Sequence, residues 1–178
     1  MKIRQAKTDD IAVLEPLISA SVRTLSQGYY TSEQIDSALI NIFGVDTQLI
    51  ADGTYYVAEI NDRIVGCGGW SKRKTLYGGD QAKVLEVDSL LNPETEPARI
   101  RAFFIHPEWA RRGIGRRIIK VCEQAAQEAQ FKMFELVATL PGEPLYKACG
   151  YEVIEPFDIA LPEGATLPVI LMRKQVIE

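Results

Sequence analysis

With 178 residues, 47% hydrophobic and 25% charged, the chain has the size and apolar content of one globular domain, residues 1–178, with room for a sizeable core. A formal net charge of -4 argues against general nucleic-acid binding, and no apolar run is long enough to span a bilayer. The opening stretch, Met1–Lys7, lacks the apolar segment of a signal peptide, so a cytoplasmic protein with no membrane partner is expected. Cys67, Cys122 and Cys149 are odd in number and lack metal-ligand spacing, which predicts reduced, buried thiols and no metal site.

Met1–Lys7 reads as a first strand, after which Thr8, Asp9 and Asp10 offer an N-cap. Ile11, Leu14, Leu17, Ile18, Ser21, Val22 and Leu25 follow at helical spacing. Gly28, Tyr29 and Tyr30 interrupt that helix, and Thr31 to Gln34 start a second, which Ile35, Leu39, Ile42 and Phe43 carry to Gly44. Thr54–Glu59 and Arg63–Trp70 flank a tight connection at Ile60, Asn61 and Asp62, a hairpin pattern. Gly66, Gly68 and Gly69 weaken its second strand unless the chain bulges or something approaches closely, and a bulge is the simpler reading. Ser71–Pro97 is irregular, with Lys72, Arg73 and Lys74, then Tyr77, Gly78 and Gly79, then acidic residues Glu86, Asp88, Glu94 and Glu96. An excursion of this length between strands is often functional, and equally reads as a surface loop.

From Ala98 the chain runs as an apolar strand to Ile105, turns at Pro107, and enters a helix carrying Ile114, Ile118, Cys122, Ala125, Ala126 and Ala129 on one face. The first N–H groups of that helix lack internal partners and sit at the positive end of its dipole, so they attract an anion. Gly113 and Gly115 leave them accessible, and Arg111, Arg112, Arg116, Arg117 and Lys120 add positive charge around the mouth. Taken alone, Gly-x-Gly is more often a helix start with a solvated basic face. The dinucleotide fingerprint is excluded by Ile118 at its third glycine, and the P-loop by the absence of Gly-Lys-Ser/Thr. Lys132–Leu140 is a buried strand stopped by Pro141 and Gly142. A helix of barely two turns follows, with Pro144 at its start and Gly150 past its end. Tyr151–Ile154 and Leu167–Arg173 read as a closing strand pair joined by the long link Glu155–Thr166, which contains prolines, Pro156 among them, and a glycine.

The run Arg111-Arg112-Gly113-Ile114-Gly115 between strand and helix resembles the acetyl-CoA loop of the GNAT N-acetyltransferases, Gln/Arg-x-x-Gly-x-Gly/Ala, with Ala110 at its first position. Leu145, Tyr146, Gly150 and Tyr151 match a second GNAT signature, Leu/Phe-Tyr-x-x-x-Gly-Phe/Tyr, in the correct order along the chain. The resemblance spans most of the chain outside Ser71–Pro97. It implies an α/β (α+β) fold: a mixed, mostly antiparallel twisted sheet of six to seven strands, split at its centre, with helices on both faces. It also implies acetyl-CoA as cosubstrate. Main-chain groups of Phe103, Phe104 and Ile105 would receive pantetheine and polarise the thioester, and Arg111, Arg112, Gly113, Ile114, Gly115 and Arg116 would hold the diphosphate. Thr139 stands where family members place an Asn that contacts pantetheine. The paired helices before the hairpin form one acceptor wall in such enzymes, so Tyr29, Tyr30 and Phe43 either touch substrate or hold those helices on the sheet.

Acetyl transfer to an amine needs a neutral nucleophile, an oxyanion donor and a proton for the leaving thiolate. The resemblance gives the acid role to Tyr146. A glutamate base found in some members is replaced here by Arg99, which cannot accept a proton. Histidine is a residue type suited to proton transfer, but His106 precedes a proline and is more often a turn element; the other candidates are Glu86, Asp88, Glu94 and Glu96 acting through water, or no base at all. The expected activity is N-acetylation of a primary amine of a small molecule by direct attack in a ternary complex, since no cysteine is placed for a covalent step. A peptide or protein acetyltransferase and a non-catalytic acyl-CoA sensor are the alternatives. GNAT domains are frequently dimers, so a homodimer is compatible with the resemblance.

Overall fold

The computed structural model describes residues 1–83 and 87–177. Its strands are β1 (Lys2–Gln5), β2 (Tyr55–Ile60), β3 (Arg63–Ser71), β4 (Ala98–Ile105), β5 (Met133–Thr139), β6 (Glu152–Ala160) and β7 (Thr166–Gln175). Its helices are α1 (Ile11–Leu25), α2 (Ser32–Asn41), α3 (Thr47–Ala51), α4 (Ile114–Glu128) and α5 (Glu143–Ala148). The strands form one sheet in the order β1-β2-β3-β4-β5-β7-β6. Every neighbouring pair is antiparallel except β4 and β5, so the sheet is mixed and mostly antiparallel, as expected. One apolar core packs α1, α2 and α3 on one face through Leu14, Ile18, Ile35 and Leu49. The other packs α4 through Ile114, Ile118, Ile119 and Cys122 against Val65, Ile100 and Leu136. Burial of α4's apolar stripe drives that packing, with its basic residues left outside.

Local chemistry explains most of these elements. The β2–β3 turn places Asn61 and Asp62 at φ 50° and 59°, the left-handed pair that suits a two-residue hairpin. Thr31 accepts from the Gln34 N–H at 3.1 Å while the Gln34 side chain accepts from the Thr31 N–H at 2.9 Å, closing a capping box at α2. Thr8–Asp10, read as an N-cap, is instead a short 3-10 turn in which the Asp10 carboxylate takes the Lys7 N–H and the Arg4 guanidinium rather than the first turn of α1. Arg4 holds that carboxyl below its usual range. Helix α3 was not foreseen; its five residues are capped by Asp46, which accepts from the Gln48 and Leu49 N–H groups.

The tail also corrects the reading from sequence. Glu155–Ala160, taken as part of a link, belongs to β6, and only 161–165 connect it to β7. Pro156 suggested a break, but β6 is the sheet's edge, where a residue lacking N–H costs no inner ladder bond.

The centre of the sheet is where regularity fails. β4 and β5 pair only at Ala98↔Phe134 and Arg99↔Glu135, and no later residue of β4 is in register with β5. On its other side β4 pairs with β3 through Phe104↔Cys67 and Arg101↔Gly69, so Ala102 and Phe103 both face the single Gly68. The bulge anticipated in β3 lies beside Gly66, where Ala58↔Gly66 and Glu59↔Ile64 leave Val65 as an extra residue against β2. Opposite Gly68 the extra residue belongs to β4, and Ala102 sits at φ 57°. The buried Tyr55 hydroxyl donates to the Ala102 carbonyl at 3.0 Å and holds it there. Close approach matters as well, since a Cβ on Gly68 would lie 2.6 Å from the Phe103 ring.

Candidate active site

The gap between β4 and β5 opens into a groove of about 690 Å³. Phe103, Phe104, Ile105, Arg111, Gly113, Ile114, Gly115, Arg116, Thr139 and Tyr146 all line it, so ten of the predicted positions converge. Arg112 is the exception: its guanidinium lies over the Trp109 ring, 4.8 Å from the centroid, outside the lining. A second, smaller cavity of about 80 Å³ adjoins the groove, and Phe43, Phe103, Phe104, Thr139 and Tyr146 line both. Its roof is Leu76–Gly79 from the irregular excursion.

Each lining group has a local cause. The His106 N–H donates to Val65 O on β3, and Phe104 faces Cys67 across the same pair of strands. Alternation therefore turns the main chain of Phe103 and Ile105 toward the open gap and that of Phe104 toward β3. What Phe104 gives the groove is its ring, edge-on to Phe43 with centroids 6.1 Å apart. The Ile105 N–H finds the Ser21 hydroxyl of α1 at 3.2 Å, a lining residue that sequence reasoning missed. Thr139 accepts from the Gly142 N–H at 3.2 Å, shaping the turn into α5 while facing the groove.

The two loop glycines serve different ends. Gly113, the residue before α4, adopts φ 80° with nothing within 4 Å of where a Cβ would be, so it is required by its conformation and leaves the helix mouth open. At Gly115 a Cβ would meet Leu145 at 2.9 Å, so that glycine lets α5 close against α4. Tyr146 on α5 is fixed by edge-to-face contacts with Phe103 at 6.3 Å and Tyr151 at 6.1 Å. Burial raises its phenol above the ordinary value, keeping it protonated through neutral pH.

A family model described as an acetyltransferase (GNAT) domain matches residues 51–153, which run from the end of α3 into β6 and carry the split strands, the loop and Tyr146. The chain belongs to the GNAT acetyltransferases. Its fold is similar to that of a GCN5-related N-acetyltransferase from Rhodopseudomonas palustris, at 18% identity over 98% of this chain and 95% of that one, TM-score 0.72. It is also similar to the PaiA N-acetyltransferase of Thermoplasma acidophilum solved with coenzyme A, at 14% identity over 98% of each chain, TM-score 0.66. A third likeness is YncA of Salmonella typhimurium, solved with acetyl-CoA, at 15% identity over 100% of this chain and 95% of that one, TM-score 0.66. No curated protein matches the chain. Acetyl-CoA is the cosubstrate of the GNAT enzymes, and the residues present here fit it: a long groove, an unpaired strand edge, and an open, basic helix mouth.

The candidate bases of this GNAT enzyme fall elsewhere. Arg99 is bound to Glu135 at 2.5 Å, and Arg173 holds the same carboxylate. His106 caps the turn Pro107–Trp109 by accepting from the Glu108 N–H at 3.3 Å, the turn role weighed for it. Asp88 accepts from the Thr75 N–H and Glu96 from the Asn92 N–H, while Glu94 is exposed. Glu86 lies outside the described residues. Among the described residues no carboxylate lines either cavity. Of the aromatic candidates, Tyr30 is a core residue that donates to Pro168 O and accepts from the Leu140 N–H, Tyr29 lies at the groove's exposed rim, and Phe43 faces both cavities. Cys67 and Cys122 are buried as anticipated, whereas Cys149 is half-buried.

Replacing Gly113 by Glu is expected to weaken coenzyme A binding by at least about tenfold, because a carboxylate would then face the positive helix mouth. Calorimetric titration of the variant beside Gly113→Ala checks it: the alanine variant carries the same backbone strain without the charge.

Proposed function

We propose that this GNAT enzyme, acting as a single domain, acetylates the primary amine of a small molecule by direct attack in a ternary complex. The observation that carries the reading is the small size of the cavity beside Tyr146 and the loop that covers it. The cavity's volume is about 80 Å³, and the roof over it is fastened. Gly79 N–H donates to Ile42 O at 2.7 Å, Asp80 N–H to Val45 O at 3.1 Å, and Arg101 to Gly78 O. An extended peptide would need the space that Leu76–Gly79 fills.

Acetyl-CoA supplies an acetyl thioester, and overall a C–N bond forms, a C–S bond breaks and one amine proton ends on the thiol. Arg111, Arg116 and the first N–H groups of α4 beyond Gly113 would hold the diphosphate, with Gly115 keeping α5 close. Arg112, seated on Trp109, would contribute charge at the rim. Main-chain groups of Phe103 and Ile105 on the open edge would bind pantetheine and polarise the thioester carbonyl, with Thr139 opposite. Tyr146 would donate to the leaving sulfur. Full transfer from a phenol raised above ~10 to a thiolate near ~8.5 is uphill, so the donated proton must be replaced as the amine loses its own.

Direct attack is favoured because no thiol is poised as a nucleophile. Burial pushes the Cys67 thiol up to about 12 and Cys122 also upward, and no cysteine lines the groove. Among the described residues no carboxylate lines the cavities, and in this reading the amine binds neutral. The log of kcat/KM should therefore rise with pH toward the acceptor's own pKa and show no falling limb below about 10 attributable to Tyr146. A descending limb near neutrality in a pH–rate series would remove Tyr146 from the acid role.

Thiol release from acetyl-CoA with a panel of small amines and peptides tests the reading as a whole. Turnover of small amines and no acetylated protein by intact mass without acceptor is expected. Turnover of peptides alone, or a stable acetyl-enzyme, overturns it.

A further inference from the structure

Among the described residues the smaller cavity is lined by one charged side chain, Arg101. Arg101 is 5% exposed and lies on the same side of the sheet as Ala102 and Phe104, because the bulge lets consecutive residues share a face. Its guanidinium bonds to Gly78 O in the roof and pairs with Asp46 at 2.8 Å, both through one terminal nitrogen. Nε is buried with no partner among the described residues. Asp46 does not neutralise it alone, since its carboxylate is shared with Lys83 at 2.7 Å and caps α3. Lys83 also lies 3.6 Å from Asp80, so Asp46 is the one carboxylate paired directly with Arg101 among the described residues, at the end of a cavity otherwise lined by aromatic and aliphatic residues, Thr139 and backbone. Burial lowers the Arg101 pKa, the sign of a cation that gains from a further anion.

We infer that Arg101 reads a carboxylate on the acceptor, and that the enzyme's acceptors are small apolar α-amino acids acetylated at their α-amino group. The inference rests on the small-amine reading and narrows it. Arg101 stands two positions before Phe103, about 6–7 Å along the strand. An α-carboxylate lies two bonds from its amine, so one hydrogen bond of about 2.9 Å from the guanidinium would leave the nitrogen beside Phe103 and Tyr146. A polyamine or lysine side chain would carry cations toward Arg101, with no carboxylate among the described lining residues to receive them. Phe43, Tyr77 and Phe104 supply the surface for an apolar side chain.

The test compares, on the wild-type enzyme, phenylalanine and leucine with their amides, their decarboxylated amines, and dipeptides that begin with them. Free amino acids should show kcat/KM about 10- to 100-fold above the amides and amines, the range of a hydrogen bond to a charged group. N-acetylphenylalanine should inhibit better than N-acetylphenethylamine by a similar factor. In Arg101→Lys, which keeps the charge for Asp46 but loses the planar fork, the preference should collapse toward unity. Equal or better use of the decarboxylated amines overturns the inference and leaves the small-amine reading standing. Exclusive use of dipeptides overturns both. A preference that persists in folded Arg101→Lys removes Arg101 from the recognition. If that variant does not fold, the wild-type ratio and the product-inhibition ratio decide.

Discussion

Tyr146→Phe is expected to lower kcat by about 10²-fold, the lower end of what a positioned proton donor contributes, while leaving the affinity for acetyl-CoA close to wild type. The expectation follows from how the ring is held. Phe103 and Tyr151 pack edge-on against it and α5 holds it at the junction of the groove and the smaller cavity. Phenylalanine keeps those contacts and removes only the hydroxyl. The loss should therefore fall on kcat, with KM for both substrates little moved, the pattern of an interaction made only in the transition state. Steady-state kinetics beside a coenzyme A titration separates the two quantities. A kcat within twofold of wild type would leave Tyr146 as a packing residue. The Tyr151 hydroxyl, engaged with Glu123 at 2.9 Å, is the internal comparison: it is buried too, but it does not line the groove.

How much of this was legible beforehand depended on whether the cause was local. The loop before α4 could be read because left-handed backbone and an unobstructed helix mouth both demand glycine at Gly113, and the demand shows in the residue itself. At Gly115 only part of the reason was legible: it lines the groove, but a Cβ there would also meet Leu145, on a helix about thirty positions further along the chain. The bulge in β3 announced itself through its glycines and lies beside Gly66, whereas the one opposite Gly68 belongs to β4, where an alanine at positive φ, Ala102, leaves no mark in composition. Pro156 misled because its meaning depends on strand order, which decides that β6 is an edge. The Arg101–Asp46 pair was missed for the same kind of reason. An arginine inside the apolar run from Ile100 to Ile105 was the available signal, but its partner caps a five-residue helix that no periodicity reveals.

That pair should also dominate stability. Asp46→Ala is expected to destabilise the fold by about 3–5 kcal/mol, the range found when one partner of a buried ion pair is removed. Asp46 is fully buried, and it holds three things at once: the first N–H groups of α3, the Lys83 ammonium and the Arg101 guanidinium. Loss of the cap alone accounts for about 1 kcal/mol. The larger part is the cost of leaving Arg101 in the interior with its nearest counter-charge gone. Asp46→Asn should therefore retain the cap and still lose most of the stability. The double variant Asp46→Ala with Arg101→Met should be less destabilised than the sum of its single changes, because the second change removes the stranded charge. Denaturant unfolding of the four proteins gives the coupling directly. Additive losses would mean that the two side chains are neighbours without being partners.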